Sequence, residues 1–243
     1  MPPKKTEVVD LGVGAERFGR CKGNLKMGLV GLPNVGKSST FNLFTNQSVP
    51  AENFPFCTIE PTEARCAIED ERYSWLCDLW EPKSKIPPYL QVTDIAGLIR
   101  GAASGAGLGN EFLSTITQCD GIFHVVRVFD DEQVIHVDDS VDPVRDLETI
   151  HSELCQKDLA FVLAAEAREE VAVKKDRQSK LSPVFLETFK KMKEMLEAGQ
   201  PIRDGDFTSE EIYMINEKTQ LITTKPIIYI LNMSAKVLAP HRR

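Results

Sequence analysis

One stretch constrains this chain more than any other: Leu-Lys-Met-Gly-Leu-Val at 25–30, followed by Gly-Leu-Pro-Asn-Val-Gly-Lys-Ser at 31–38. The first part is a short apolar run of β character. The second fits Gly-x-x-x-x-Gly-Lys-Ser and leads into Ser-Ser-Thr-Phe-Asn-Leu-Phe, which reads as a helix. Strand, glycine-rich turn and helix together are the setting in which this motif wraps a phosphate. By average residue frequencies the pattern arises by chance in roughly one chain of this length in a hundred. Gly31 and Gly36 permit backbone angles that a Cβ obstructs. Successive N–H groups then point inward, and the helix N-terminus adds its partial positive charge. Lys37 is placed to put an ammonium on the terminal phosphates, and Ser38 to offer a hydroxyl to a magnesium ion.

Further strands are expected within 87–97 (PPYLQVTDIAG), 121–129 (GIFHVVRVF) and 226–233 (PIIYILNM). Strands alternating with helices argue for an α/β fold with a mostly parallel sheet covered on both faces. The stretch from Pro143 to Gly199 differs. Leu147, Ile150, Leu154, Phe161, Ala164 and Val171 recur at spacings of three, four and seven, as do Phe185, Phe189, Met192 and Leu196. Two consecutive long helices without an intervening strand suggest an inserted antiparallel α-helical hairpin, of coiled-coil type, rather than helices that simply cover the sheet. Ser182 and Pro183 suit the start of the second helix, Gly199 and Pro201 its end, and Thr208 with Glu211 a capping box on a third. The expected organisation is a flexible segment at 1–20, the first part of the phosphate-loop domain at 21–140, the helical hairpin at 141–205 and the last part of the domain at 206–243.

A second motif is Asp-Ile-Ala-Gly at 94–97. Asp94 ends a strand, where a carboxylate can hold magnesium through water. The N–H of Gly97 can meet a γ-phosphate. Between the motifs, Thr58 in Asn-Phe-Pro-Phe-Cys-Thr-Ile-Glu-Pro is the candidate for a switch threonine on magnesium; an ordinary loop threonine is the plainer reading. Leu98 occupies the position where many phosphate-loop hydrolases carry a water-orienting glutamine, and leucine cannot do that job. His124, alone in an apolar strand, is the candidate replacement; a satisfied structural histidine is the alternative. Four glycines in 101–112 read as a switch segment or a surface loop, and their register does not fit Gly-x-Gly-x-x-Gly.

Asn232, Met233, Ser234 and Ala235 stand at the end of the last strand, where a base reader belongs, and bring no carboxylate. Guanine offers two donors that a carboxylate accepts together. Adenine offers an acceptor beside a donor. The missing carboxylate therefore argues for ATP, or for weak discrimination against GTP.

Taken together, "GLPNVGKSSTFN", "FPFCTIEP", "DIAGLIRGAASGAGLGNEFL", "HVVRVF" and "KPIIYILNMS" resemble the Obg-like ATPases, also called the YchF family of P-loop proteins. The resemblance covers roughly residues 20–234. It implies a P-loop G domain, magnesium-dependent hydrolysis of ATP in preference to GTP or of both, a cytoplasmic place and association with the ribosome or translation. Carried over by residue, Asn34, Val35, Gly36, Lys37, Ser38 and Ser39 hold the phosphates. Ser38 and Thr58 bind magnesium, and Asn232 and Met233 hold the base. Asn34 stands where potassium-activated relatives place a ligand for K+. The family commonly carries an acidic residue where this chain has Ala235. Beyond Lys236 the resemblance ends, and the family's next strand and helix and its small C-terminal TGS domain are expected to be missing.

Composition closes off several classes. The formal charge of −7 argues against general nucleic-acid binding, and no specific DNA binding is expected. The six cysteines form no C-x-x-C pair, so zinc has no support. The N-terminus lacks the apolar core of a signal peptide, and no apolar run is long enough for a membrane span. A reduced intracellular protein is expected.

Overall fold

The structure is a computed structural model that describes residues 18–19, 25–45, 62–97, 108–131, 133–138, 140–175 and 181–235. A five-stranded sheet in the order β2-β3-β1-β4-β5 organises it. Strand β1 (Lys26–Val30) lies between β3 (Tyr89–Asp94) and β4 (Gly121–Arg127) and pairs in parallel with both. Strand β5 (Ile227–Asn232) runs parallel to β4. Strand β2 (Thr62–Ala67) is antiparallel to β3. The parallel strands end together, so the loop after β1, Asp94 and Asn232 meet at one edge.

Helix α1 (Lys37–Thr45) follows the loop after β1. Helix α2 (Glu71–Trp80) joins β2 to β3, and α3 (Leu108–Thr117) precedes β4. Then come α4 (Pro143–Lys175), α5 (Pro183–Glu197), a short 3-10 turn (Ile202–Asp204) and α6 (Ser209–Lys218) before β5. The expected caps are present. Ser182 Oγ accepts from Phe185 N, with Pro183 in the first turn, and Thr208 and Glu211 form the reciprocal box.

Two apolar cores result. The first packs Leu29, Val30, Phe41, Val92, Ile116, Ile122 and Val125 of the sheet and its helices together with Ile150 and Leu154 of α4. The second joins Cys155, Val162 and Ala165 of α4 to Phe185, Phe189, Met192 and Leu196 of α5. Helix α4 therefore belongs to both cores: its first turns cover the sheet and its later turns pack on α5.

Along α4 the buried stripe departs from the sequence reading. Phe161 is half-buried, Ala164 and Val171 are exposed, and Val162 and Ala165 are buried instead. Asp158 is the reason. It sits on the buried face, 2% exposed, and accepts hydrogen bonds from Ile222 N at 2.9 Å and Thr223 N at 2.6 Å. A carboxylate in the stripe hides the period from any count of apolar residues. Two backbone donors make its burial tolerable.

Candidate functional site

The loop after β1 is shaped by contacts that leave little room. A Cβ on Gly31 would stand 2.5 Å from Val125 O, and one on Gly36 would stand 2.4 Å from Asn232 Nδ2. Gly36 also has φ +98°, and Asn34 has φ +60°, a conformation asparagine tolerates better than most residues. Val35 is buried, so its side chain anchors the loop. Ser39 is exposed in the first turn of α1.

Within the loop, buried Lys37 donates from Nζ to Leu32 O at 2.8 Å. Ser38 Oγ donates to Asp94 Oδ2 at 2.6 Å. A hydroxyl and a fully buried carboxylate from two separate motifs thus converge, and both are the hard oxygen donors that magnesium takes. The residues present therefore fit that ion. Gly97 packs against the loop as well: a Cβ there would meet Pro33 N at 2.9 Å. Asn232 closes the other side, donating from Nδ2 to Val35 O at 2.9 Å, while its backbone carbonyl accepts from Val128 N at 2.8 Å. Met233 follows it, half-buried. The structure thus brings Asn34, Val35, Gly36, Lys37, Ser38, Asp94, Gly97, Asn232 and Met233 to one edge of the sheet. Thr58 and Leu98 lie outside the described residues.

His124 pairs in register with Val30 and Tyr229, and its ring centroid is 5.6 Å from that of Tyr229. It lines a cavity of about 380 Å³ between β4, β5 and α4, together with His151, Arg203 and Tyr229. None of the residues 31–39 lines that cavity. Burial first, then the positive charge of His151, Arg203 and Lys37, pulls the His124 pKa down to about 4. The imidazole is neutral at neutral pH.

Sequence reasoning missed a second group at the same edge. Arg127 ends β4, is 1% exposed and donates to the carbonyls of Phe129, Val134 and Asp131 at 3.1, 3.0 and 3.2 Å. His136 Nε2 lies 2.9 Å from Asp146 Oδ2, and His136 Nδ1 accepts from Asp138 N at 3.1 Å. Asn34 Nδ2 donates to Ile135 O at 3.0 Å. The presence of an arginine three residues after His124, in a strand apolar apart from these two, was the available signal.

The fold and the loop define a class: a P-loop nucleotide-binding G domain. A profile of the family described as 50S ribosome-binding GTPase matches residues 26–165, so the chain belongs to that family. Its relatives there are the Obg-like ATPases, or YchF proteins. Obg-like ATPase 1 of Oryza sativa subsp. indica is 52% identical over 238 residues, which cover 97% of this chain and 59% of that protein. Obg-like ATPase 1 of Homo sapiens is 46% identical over 241 residues with the same two coverages. The structure of the Schizosaccharomyces pombe YchF GTPase superimposes with a TM-score of 0.69 at 41% identity, covering 93% of this chain and 61% of that one. The chain therefore spans about 59% of the length of the curated relatives it matches. Among the described residues no helix is long and apolar enough to cross a membrane.

Proposed function

We propose that this chain is a magnesium-dependent nucleoside triphosphatase that takes ATP in preference to GTP and cycles slowly. The observation that carries this reading is the junction of three motifs at one edge: Lys37 within the loop, Ser38 on Asp94 at 2.6 Å, and Asn232 on the loop backbone at 2.9 Å. In this reading the N–H groups of Asn34 to Ser39 cradle the phosphates and Lys37 neutralises their charge. Magnesium would be held by Ser38, by Asp94 through water and by Thr58, and it would supply charge neutralisation at the terminal phosphates. Asn34 would add a potassium ligand. Gly97 would meet the γ-phosphate, while His124, in a cavity that none of residues 31–39 lines, is left the structural role.

Asn232 donates its side-chain amide to the loop at Val35 O. In this reading Met233, the next residue, would offer its backbone groups to the mixed edge of adenine. No carboxylate follows at 233–235 to accept from guanine. The names of the relatives point both ways, ATPase in one comparison and GTPase in another. Ribosome association and a cytoplasmic place belong to this proposal through the family. Calorimetric titration with ATP and with GTP, each with magnesium, tests it. ATP binding at least several-fold tighter is expected, and tight GTP binding without ATP binding reverses the order.

A further inference from the structure

Between β4 and α4 the chain runs through residues 128–142 without a helix or strand among its described residues. Connections this long within a compact domain are uncommon and are usually functional. The segment is nevertheless tied down at both ends. Arg127 spreads its guanidinium over three of its carbonyls at the start, with its carbon 4.6 Å from the centroid of the Phe129 ring. Buried His136 and Asp146 fasten the far end to α4, and Arg145 in turn donates to Asp146 Oδ1 at 3.2 Å. The Asp138 N–H on Nδ1 leaves the proton of a neutral His136 on Nε2, facing Asp146.

What lies between the two ties is Ile135. Its side chain is 60% exposed, so packing of that side chain is not what the loop secures. Its carbonyl is the part in use, accepting from the Asn34 amide at 3.0 Å. Arg127 is otherwise hard to explain. No carboxylate pairs with it among the described residues, although it is 1% exposed. Burying a cation without an acid is costly, and an apolar side chain would pack there at lower cost. Its five-donor fork, however, reaches several carbonyls of one loop at once.

We infer that Arg127 is a positioning residue for Asn34: by fixing the loop it sets the Ile135 carbonyl, which takes the Asn34 nitrogen and turns the amide oxygen away from Ile135. An amide held this way presents a cation ligand, not a phosphate donor, from that oxygen. The inference rests on the proposed nucleotide site for its functional consequence, and on the hydrogen bonds alone for its structural one.

Two measurements on the full chain separate these. The first follows the Asn34 side-chain amide protons in ¹H–¹⁵N spectra, identified by their loss in Asn34→Asp. One proton exchanges slowly in the wild type and loses that protection in Arg127→Met. Arg127→Lys, which keeps charge but not the fork, loses most of it and stands in where the methionine variant fails to fold. The second follows ATP turnover against potassium at constant ionic strength. The half-activating concentration rises about tenfold in either variant, while the ATP dissociation constant stays within about threefold. Unchanged Asn34 protection, or an unchanged potassium response beside a lowered melting temperature, leaves Arg127 a packing residue and overturns the inference. A wild type that ignores potassium or ATP overturns the functional reading instead, and the amide spectra still decide the positioning.

Discussion

The two cores of this chain are built on opposite terms. The one around α5 is almost wholly apolar, with Phe185 and Phe189 stacked at 4.0 Å and Met192 and Leu196 sealed beneath them. The one around the sheet buries Lys37, Asp94, Thr93, His124 and Arg127 near the same strands. Each buried polar group forgoes hydration, and Lys37 and Asp94 among them lie where the loop after β1 requires charge. The helical core can be optimised for packing; the sheet core also has to carry a site. Helix α4 runs through both, and Asp158 sits at the crossing, its carboxylate holding the turn before β5.

The largest effect that can test this division is in the helical core. Phe189 is fully buried, and Phe189→Ala removes its ring from contact with Phe185. A loss of about 3–5 kcal/mol in unfolding free energy is expected from urea titration. ATP affinity of the molecules that remain folded should stay unchanged. Affinity that falls in step with stability would mean that the two cores act as one unit through α4.

In the sheet core the effect depends on pH. Burial holds the His124 pKa at about 4, below its ordinary 6.5. The unfolded chain therefore takes up this proton first as the pH falls. The contribution is fully present above about pH 6.5 and is lost between there and pH 4, at most about 3 kcal/mol in total. Urea unfolding at pH 7 and pH 4.5 measures it. His124→Gln should flatten the difference between the two conditions, whereas a variant of the helical core should leave it intact. An equally steep dependence in His124→Gln would place the titrating group elsewhere.

How much of this was legible follows the same division. The apolar period of Phe185, Phe189, Met192 and Leu196 gives α5 at once, and Ser182 gives its start. In α4 the count slips by one residue after Leu154, because Asp158 takes a place that an apolar residue would mark. The phosphate loop and Asp94 were readable because their chemistry demands fixed residue types at fixed spacings, whereas the contact of Asn232 with Val35 O was not, since the sequence reading makes Asn232 a holder of the base. Strand β2, Thr-Glu-Ala-Arg-Cys-Ala, was not readable, since at the edge of the sheet it buries only Ala64 and needs no apolar alternation. Arg127 and His136 escaped notice because their partners are backbone carbonyls and a residue ten positions away, which no motif records.

Helix α2 belongs to neither core and supplies the smallest effect. Asp70 caps it at the start, accepting from Arg72 N, and Glu81 ends it in a left-handed conformation. It buries only Cys77, while Trp75 and Trp80 are 62% and 74% exposed. Its stability therefore comes from its ends more than from a packed face. Trp80→Ala is expected to change unfolding free energy by no more than about 0.5 kcal/mol. Asp70→Ala removes the cap and should lower the urea midpoint by more than Trp80→Ala does. Trp75 and Trp80 are the only tryptophans in the chain, so their fluorescence reports on this helix alone. In Phe189→Ala the emission of the folded protein should match the wild type. A shifted emission would show that α2 feels the helical core across the sheet, and would remove it from the comparison as an independent third region.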